Sequence, residues 1–398
     1  MRLVLLFSTF PVRTETFLQR EVEALLKADR EIELWSFWGG EVEFRGRPVQ
    51  RFRLVELWLL LLMLPYWFLR SPRRFFRVFR NLVRLRWRNP TNFFENLLGF
   101  GYGIILARKF EREATDDTVL HAVWASLPAT IGWTVHLLTG LRFSFAGHAY
   151  DLFEDGGDAL IRQKMEAACA LRTSTEAGAA RFLELGADQS RLRVIRRGFA
   201  QMPSYEPKAT LSTPLRLAVV GRFVPKMGYD LLGDILDHIA AKGVLFQLCI
   251  IGDGPGRRAF EMRMDRSVWA DRVELCGAQP FEEVLRLLSA SDALLFTGTL
   301  AKSGDQAGFP NVIAEAMALG CSVIASPVGG VTEVVQHRVN GFVAGAPEAY
   351  FEAIIELQAS DEKRFAQLAK ARKWVEENFN AHANMAEFCD FIEESMAE

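Results

Sequence analysis

Arg222 and Lys226 stand close together, directly after the apolar run Leu215–Val220 and Gly221. Two cations at the carboxyl end of a strand suit a diphosphate, because a guanidinium fork fits phosphate oxygens. Taken alone, the same pair reads more simply as surface charge. A second apolar run, Val244–Ile251, ends in Gly252-Asp253-Gly254-Pro255-Gly256. Glycines there let a ligand approach the backbone, although a lone glycine-rich turn is weak evidence. The third feature is Gly304-Asp305-Gln306-Ala307-Gly308-Phe309-Pro310-Asn311, which opens a helical pattern reaching Leu319. A proline at a helix start leaves backbone N–H groups pointing outward, a ready anion site. Glu315 falls about one turn into that helix, where a carboxylate can accept both hydroxyls of a ribose. Its plainer use is to stabilise the helix N-terminus, worth roughly 0.3–1 kcal/mol. Together the three features ask for one ligand carrying phosphates and a ribose.

The elements that must hold these residues alternate in type. After Leu215 short apolar runs (Leu215–Val220, Val244–Ile251, Val273–Cys276, Ala293–Phe296, Cys321–Ala325) are separated by amphipathic helices. Continuous apolar strands between helices mean a parallel sheet covered on both faces, with ligands beyond the carboxyl ends of its strands. The first half repeats the pattern less cleanly. Strands are expected at Arg2–Ser8, Glu31–Phe37, Val119–Ala122, Arg142–Ala146, Ala170–Ser174 and Arg193–Ile195, and a helix at Thr16–Lys27. Three prolines and polar residues make 200–214 a linker. The expected organisation is α/β, with a first domain over 1–199, a second over 215–360, and C-terminal helices over 361–398 packing back toward the first.

With 398 residues, half of them hydrophobic, the chain can bury two cores. The net charge of -2 conceals an asymmetry: residues 1–200 hold 29 Lys and Arg against 22 Asp and Glu, and the remainder 18 against 27. The five cysteines contain no C-x-x-C pair, so buried reduced thiols and a reducing compartment are expected. The apolar start, Met1–Phe7, is too short for a signal peptide and reads as a strand, which places the protein on the cytoplasmic side. Leu54–Leu69 is almost wholly apolar but shorter than the roughly 20 residues that cross a bilayer. From Arg70 to Arg88 arginines interleave with aromatic and aliphatic residues and no acid intervenes. Residues 54–88 therefore fit a helical segment lying on an anionic membrane, peripheral on its inner face. A helical insertion packed on its own domain is the bland alternative. Nothing else in the chain supports nucleic acid as a partner.

The ordered set of motifs resembles the retaining glycosyltransferases of the GT-B architecture, the large group 1 or family-four type. Its polysaccharide- and lipopolysaccharide-assembling members are the nearest in pattern. The matching pieces are Gly221-Arg222-x-x-x-Lys226, Ile251-Gly252-Asp253-Gly254-Pro255, and Gly308-Phe309-Pro310-Asn311 through Glu315-Ala316-Met317-Ala318. Gly329-Gly330-Val331-Thr332-Glu333-Val334-Val335 and Asn340-Gly341-Phe342-Val343 complete the series. In the first half, Phe10-Pro11 with Thr14-Glu15-Thr16-Phe17, and Ser144-Phe145-Ala146-Gly147-His148-Ala149-Tyr150-Asp151, look like the family's acceptor-side and histidine loops. The likeness spans all but about residues 45–118, expected to be a helical insertion.

The resemblance implies two facing Rossmann-like domains with a cleft between them. It also implies hexosyl transfer from a nucleotide sugar to a saccharide or lipid-linked saccharide in cell-surface polysaccharide or glycolipid synthesis. Arg222 and Lys226 would neutralise the donor diphosphate, Glu315 would hold the ribose, and His148 would contact the donor sugar across the cleft. Gly221, Gly252, Asp253, Gly254, Asp305, Ala307, Gly308, Phe309, Pro310 and Asn311 would line the donor. Thr14, Glu15 and Thr16 would lie on the acceptor side. No metal or other cofactor is implied, and the sequence has no His and carboxylate cluster at metal spacing. The sequence departs from the family at Ala307, which stands where a first glutamate usually precedes Glu315; Asp305 is the nearby candidate to replace it. That departure also admits a catalytically impaired binding or regulatory protein of the same fold. An epimerase on the same architecture is a further reading; a phosphorylase would be longer and carry a pyridoxal-phosphate lysine.

Overall fold

The computed structural model describes residues 1–12, 15–28, 30–83, 89–306 and 308–397. They form two compact units, one of Met1–Ala200 with Ala381–Glu398, the other of Gln201–Asn380.

The first unit is built on strands β1 (Arg2–Phe7), β2 (Glu31–Ser36), β3 (Glu43–Phe44), β4 (Arg47–Arg51), β5 (Thr118–Ala122), β6 (Arg142–Ala146), β7 (Ala170–Thr173) and β8 (Leu192–Val194). Their order in the sheet is β3-β4-β2-β1-β5-β6-β7-β8. All neighbours run parallel except the β3–β4 hairpin. The central strand β1 is buried along nearly its whole length, as a strand covered on both faces must be. The helices are α1 (Thr16–Lys27), α2 (Leu60–Arg70), α3 (Pro72–Val83), α4 (Pro90–Glu113), α5 (Leu127–Thr139), α6 (Tyr150–Phe153), α7 (Ile161–Ala167) and α8 (Glu176–Glu184).

Residues 45–118 are not helical throughout. Their first stretch closes the β3–β4 hairpin, and β4 extends the sheet beside β2. Gly46 supplies the positive φ of the turn. Phe44 and Val49 turn into the core while their neighbours stay exposed. The rest of the segment is helical, and α4 lies tightly on α5. Gly99 and Gly103 make that approach possible: a Cβ on Gly103 would stand 2.5 Å from Thr134 Cβ. Trp67 of α2 is buried and donates its indole N–H to Ile104 O at 3.0 Å. Lys164, fully buried, joins Asp158 Oδ1 and Ala125 O at 2.7 Å each, and Asn96 Nδ2 of α4 also donates to Asp158.

The second unit contains β9 (Leu215–Val220), β10 (Phe246–Ile251), β11 (Val273–Gly277), β12 (Ala293–Phe296), β13 (Ser322–Ala325) and β14 (Phe342–Val343). Around them lie α9 (Tyr229–Ala241), α10 (Arg257–Met264), α11 (Phe281–Ser289), α12 (Asn311–Leu319), α13 (Val331–Val334), α14 (Pro347–Ala359) and α15 (Asp361–Asn378). The order is β11-β10-β9-β12-β13-β14, parallel throughout. The winding direction reverses between β9 and β12, and ligands of such sheets bind at that switch point.

The C-terminal helices were expected to act together, but they part company. Helix α15 stays in the second unit, whereas α16 (Ala381–Ala397) belongs to the first. There Met385, Phe388, Phe391 and Ile392 share a core with Leu18, Val22 and Leu25 of α1.

The cysteine expectation also needs correcting. Cys249 of β10 and Cys276 of β11 form a disulfide, and Cys169, Cys321 and Cys389 are thiols. A search for close cysteine pairs misses a bridge spanning 27 positions, which adjacent parallel strands bring together. The inference of a reducing compartment from five free thiols is withdrawn. Among the described residues, no helix is long and apolar enough to cross a membrane.

The glycine contact between α4 and α5 gives a stability test. Gly103→Val should destabilise the first unit by about 1–3 kcal/mol, the usual cost of overpacking. The urea midpoint read by far-ultraviolet circular dichroism should fall accordingly. An unchanged midpoint would mean that the two helices do not need the missing side chain.

Candidate active site

In the second unit the loops leaving β9, β10 and β12 lock onto one another. Gly252, at φ +147, leaves no room for a side chain, because a Cβ there would sit 1.9 Å from Gly221 O. Phe223 N donates to Asp253 O at 3.1 Å, and Gly256 N to Phe223 O at 2.9 Å. Tyr229, from the first turn of α9, donates its hydroxyl to Gly221 O at 2.8 Å and stacks on Phe223 at 3.9 Å. The turn holding Lys226 is tied to the exit of β12: Thr299 N donates to Lys226 O, and Thr297 Oγ1 to Met227 O.

This frame leaves Arg222 exposed at the strand edge. Lys226 is only partly exposed and pairs with Asp305, Nζ to Oδ2 at 2.8 Å. Asp305 is therefore engaged with the lysine expected to meet a diphosphate. Asp253 bends back onto its own loop, its Oδ1 accepting from Gly254 N at 2.7 Å.

The segment before α12 is pinned by aromatic packing. Phe309 is buried and stacks on Phe379 at 5.2 Å, with Trp374 beyond at 6.5 Å. Gly330 N donates to Gly308 O, which brings the Gly329-Gly330 turn to the same loop. Helix α12 begins at Asn311 with Pro310 in the capping position and no side-chain cap. Its first N–H groups are thus not satisfied by a capping side chain, and the helix dipole favours an anion there. Asn311 Oδ1 is buried with no hydrogen-bond partner among the described residues. Glu315 is buried on the same helix. Ala307 lies outside the described residues, so its local structure enters no part of the site.

In the first unit His148 follows β6 and is almost fully buried. Its backbone N–H donates to Asp151 Oδ1 at 3.0 Å, and its Nδ1 lies 3.3 Å from Ser174 Oγ. Trp124 meets its ring edge-on at 5.4 Å. Burial, reinforced by Arg197 and Arg172, holds the imidazole well below its ordinary pKa, so it is neutral at physiological pH. Asp151 also accepts from Ala125 N and Ala149 N, clasping the loop. Glu15 occupies the capping position of α1 and Thr16 begins that helix. Thr14 lies outside the described residues.

Sequence reasoning passed over several residues here. Arg172 is buried and makes a two-pronged pair with Glu21 at 2.6 and 3.2 Å. Arg197, also buried, lies over the Phe17 ring. A doubled arginine just past a strand end was the available signal, but neither residue belongs to a recognised motif. Tyr229 and Thr299 were missed because their parts are played through backbone contacts. Among the described residues no three His, Cys, Asp or Glu side chains gather as a metal site.

A doubly wound sheet with cations and an uncapped helix at its switch point is a unit of the Rossmann type. Residues 214–360 match the model of Glycosyl transferases group 1. The chain is 27% identical over 216 residues to the amylovoran biosynthesis glycosyltransferase AmsK of Erwinia amylovora, covering 54% of this chain and 53% of the relative. It is 28% identical over 222 residues to the putative colanic acid biosynthesis glycosyltransferase WcaL of Escherichia coli, covering 54% of each. The matched region thus spans about half the length of these curated relatives. Among solved structures, Anabaena Alr3699/HepE in complex with UDP superposes with a TM-score of 0.71 at 16% identity, covering 99% of this chain and 100% of that one. Sucrose-phosphate synthase from Thermosynechococcus elongatus gives 0.73 at 16% identity, covering the whole of both chains. At such identities these likenesses establish the fold, which is GT-B.

The Lys226–Asp305 pair sets up a competition with any incoming diphosphate. Asp305→Ala should free Lys226 and tighten UDP binding by about two- to fivefold, the range expected for a partly exposed ion pair. Calorimetric titration of the variant reads this directly; weaker binding would instead give Asp305 a direct part in holding the ligand.

Proposed function

We propose that this chain is a retaining glycosyltransferase that moves a hexosyl group from a nucleotide sugar onto a saccharide or lipid-linked saccharide. Its product would belong to cell-surface polysaccharide or glycolipid synthesis. The observation that carries this reading is the meeting of Arg222, Lys226, the Gly252 loop and the uncapped start of α12 at one sheet edge. That edge lies within the residues that match the group 1 glycosyl transferases. The bound UDP named for the HepE structure and the polysaccharide pathways named for AmsK and WcaL support it.

In this reading the donor diphosphate lies against Arg222, Lys226 and the α12 N-terminus, and Glu315 takes the ribose hydroxyls. The sugar–phosphate bond breaks as the acceptor hydroxyl attacks the same face of the anomeric carbon. The departing diphosphate gathers negative charge and receives the acceptor proton. The cations and the helix end stabilise that charge more in the transition state than in the ground state, which is how they accelerate transfer. Neither a covalent nucleophile nor a resident metal is part of the proposal. His148 serves the donor sugar as a neutral hydrogen-bonding group, with its orientation fixed by Ser174 and Trp124. The alternative of a binding protein that has lost catalysis is not favoured, because Arg222, Lys226, His148 and Glu315 are all retained. Without the first glutamate at 307, donor selectivity falls to other groups around Gly308 and Asn311.

The test is turnover with a panel of UDP-, GDP- and ADP-sugars. At least one donor should be consumed with an acceptor, and Arg222→Ala should slow that reaction by about 10²–10³, the scale for losing one charge-stabilising donor. Unchanged kinetics in the variant would remove the diphosphate clamp.

We further propose that the first unit rests on an anionic membrane surface. Leu54, Val55, Trp58, Leu61, Leu62, Phe68 and Leu69 are each about half exposed or more on a 3-10 turn and α2, as are Phe76 and Phe79 on α3. Arg73, Arg77 and Arg80 of α3 are exposed beside them and form no ion pair among the described residues. Arg84, Arg86 and Arg88 lie outside those residues. An exposed apolar strip flanked by unpaired cations matches the boundary between lipid headgroups and acyl chains. The chain should co-sediment with vesicles containing phosphatidylglycerol, release partly in high salt, and bind less when Phe76 and Phe79 are both changed to Ser. Equal binding to purely zwitterionic vesicles, or none to either kind, would leave the strip without a lipid partner.

A further inference from the structure

Just past β8, at the carboxyl edge of the first sheet, Arg197 presents a buried cation whose effect on His148 leaves its own hydrogen-bonding capacity unused. It is only 5% exposed. Its guanidinium lies face-on over the Phe17 ring, 3.6 Å from the centroid. Stacking satisfies the face of a guanidinium, but all five of its N–H donors lie in the plane and point elsewhere. The Nε–H is buried and has no acceptor among the described residues.

Glu21 and Glu15 both act on this cation through their charges, but Glu21 is held in two prongs by Arg172, and Arg172 and Arg20 oppose them. Arg20 adds a further cation, its guanidinium over the Phe199 ring at 4.8 Å. The neighbouring arginine, Arg196, turns away toward Glu176 at 3.9 Å. Burial pulls the Arg197 guanidinium down to about 10, which still leaves it charged at neutral pH. A buried cation without hydrogen-bonded compensation is costly, so a site that keeps one is poised for an anion. The backbone is also anchored for the purpose: Asn384 of α16 donates to both Arg196 O and Arg197 O at 3.0 Å. Phe17 itself stands in the first turn of α1, beside Glu15 and Thr16, the residues assigned to the acceptor side.

We propose that Arg197, stacked on Phe17, receives an oxyanion carried by the acceptor, so that the acceptor is a phosphate- or carboxylate-bearing saccharide. The planar fork fits two oxygens of either group at once. Arg222 and Lys226 are proposed for the donor's phosphates, and the oxyanion at Arg197 is assigned to the acceptor. The word acceptor rests on the transferase reading above; the oxyanion site does not.

The test separates the two. Calorimetric titrations at constant ionic strength use inorganic phosphate and glucuronate as probes and glucose as the neutral control. The full-length chain carries Arg222→Ala to silence the donor-side clamp. Phosphate, glucuronate or both should bind and glucose should not. Adding Arg197→Gln should weaken that binding by about tenfold to a hundredfold, the loss expected for a charged two-pronged contact. Arg197→Lys, which keeps the charge but not the fork, should fall between them. UDP binding by the single variant Arg197→Gln, with Arg222 intact, checks that the chain has folded. Preference for phosphate points to a phosphate-linked acceptor, and preference for glucuronate to an acidic sugar. Failure of both probes to bind, or binding that survives Arg197→Gln within twofold, overturns the proposal. A chain that transfers no sugar yet binds a probe through Arg197 would overturn the transferase reading and leave this site standing.

Discussion

Parallel strands cannot return by a hairpin, so each must be followed by a crossover, and every carboxyl end opens on the same edge of the sheet. That constraint governs both units. In the second it forces the loops after β9, β10 and β12 into one narrow space, where Gly252 touches Gly221 O with no room for a side chain. The side chains proposed to act, Arg222, Lys226, Glu315, His148 and Arg197, stand on or just beyond those exits.

The two units hold their charges differently. In the first, Lys164–Asp158 and Arg172–Glu21 are buried pairs. Removing one partner of such a pair leaves an uncompensated ion and costs about 3–5 kcal/mol. These charges are fixtures. In the second, Lys226–Asp305 remains partly open to water. Pairs of that kind contribute about 1 kcal/mol or less and can change partner when a ligand arrives. The first unit thus has a rigid edge and the second an adjustable one.

Much of this was legible in the sequence. Continuous apolar runs such as Leu215–Val220 and Ala293–Phe296 became strands because both faces of a parallel sheet are buried. Arg222, Lys226 and Glu315 could be placed at strand and helix ends from the sequence because their offsets from those ends follow from the fold. What escaped was non-local. Residues 47–51 hold a single buried apolar residue, too little to outweigh the helical pattern after them, and pairing with β2 makes them a strand. The Cys249–Cys276 bridge joins two strands that only the sheet places side by side. Asp305 looked like a candidate sugar ligand, and its pairing with Lys226 depends on how the β9 and β12 loops fold together. Arg197 carries no motif, and its meaning lies in a ring nearly the whole first unit away in sequence.

Helix α16 gives the first unit an unusual order of assembly. Its side chains Met385, Phe388 and Ile392 complete a core begun by Leu3, Leu5 and Leu18, yet the ribosome makes them only after the entire second unit. The second unit can therefore close while its chain is still being translated. The first must wait with the core beside α1 incomplete. Any attempt to express it alone as residues 1–200 would preserve that unfinished state.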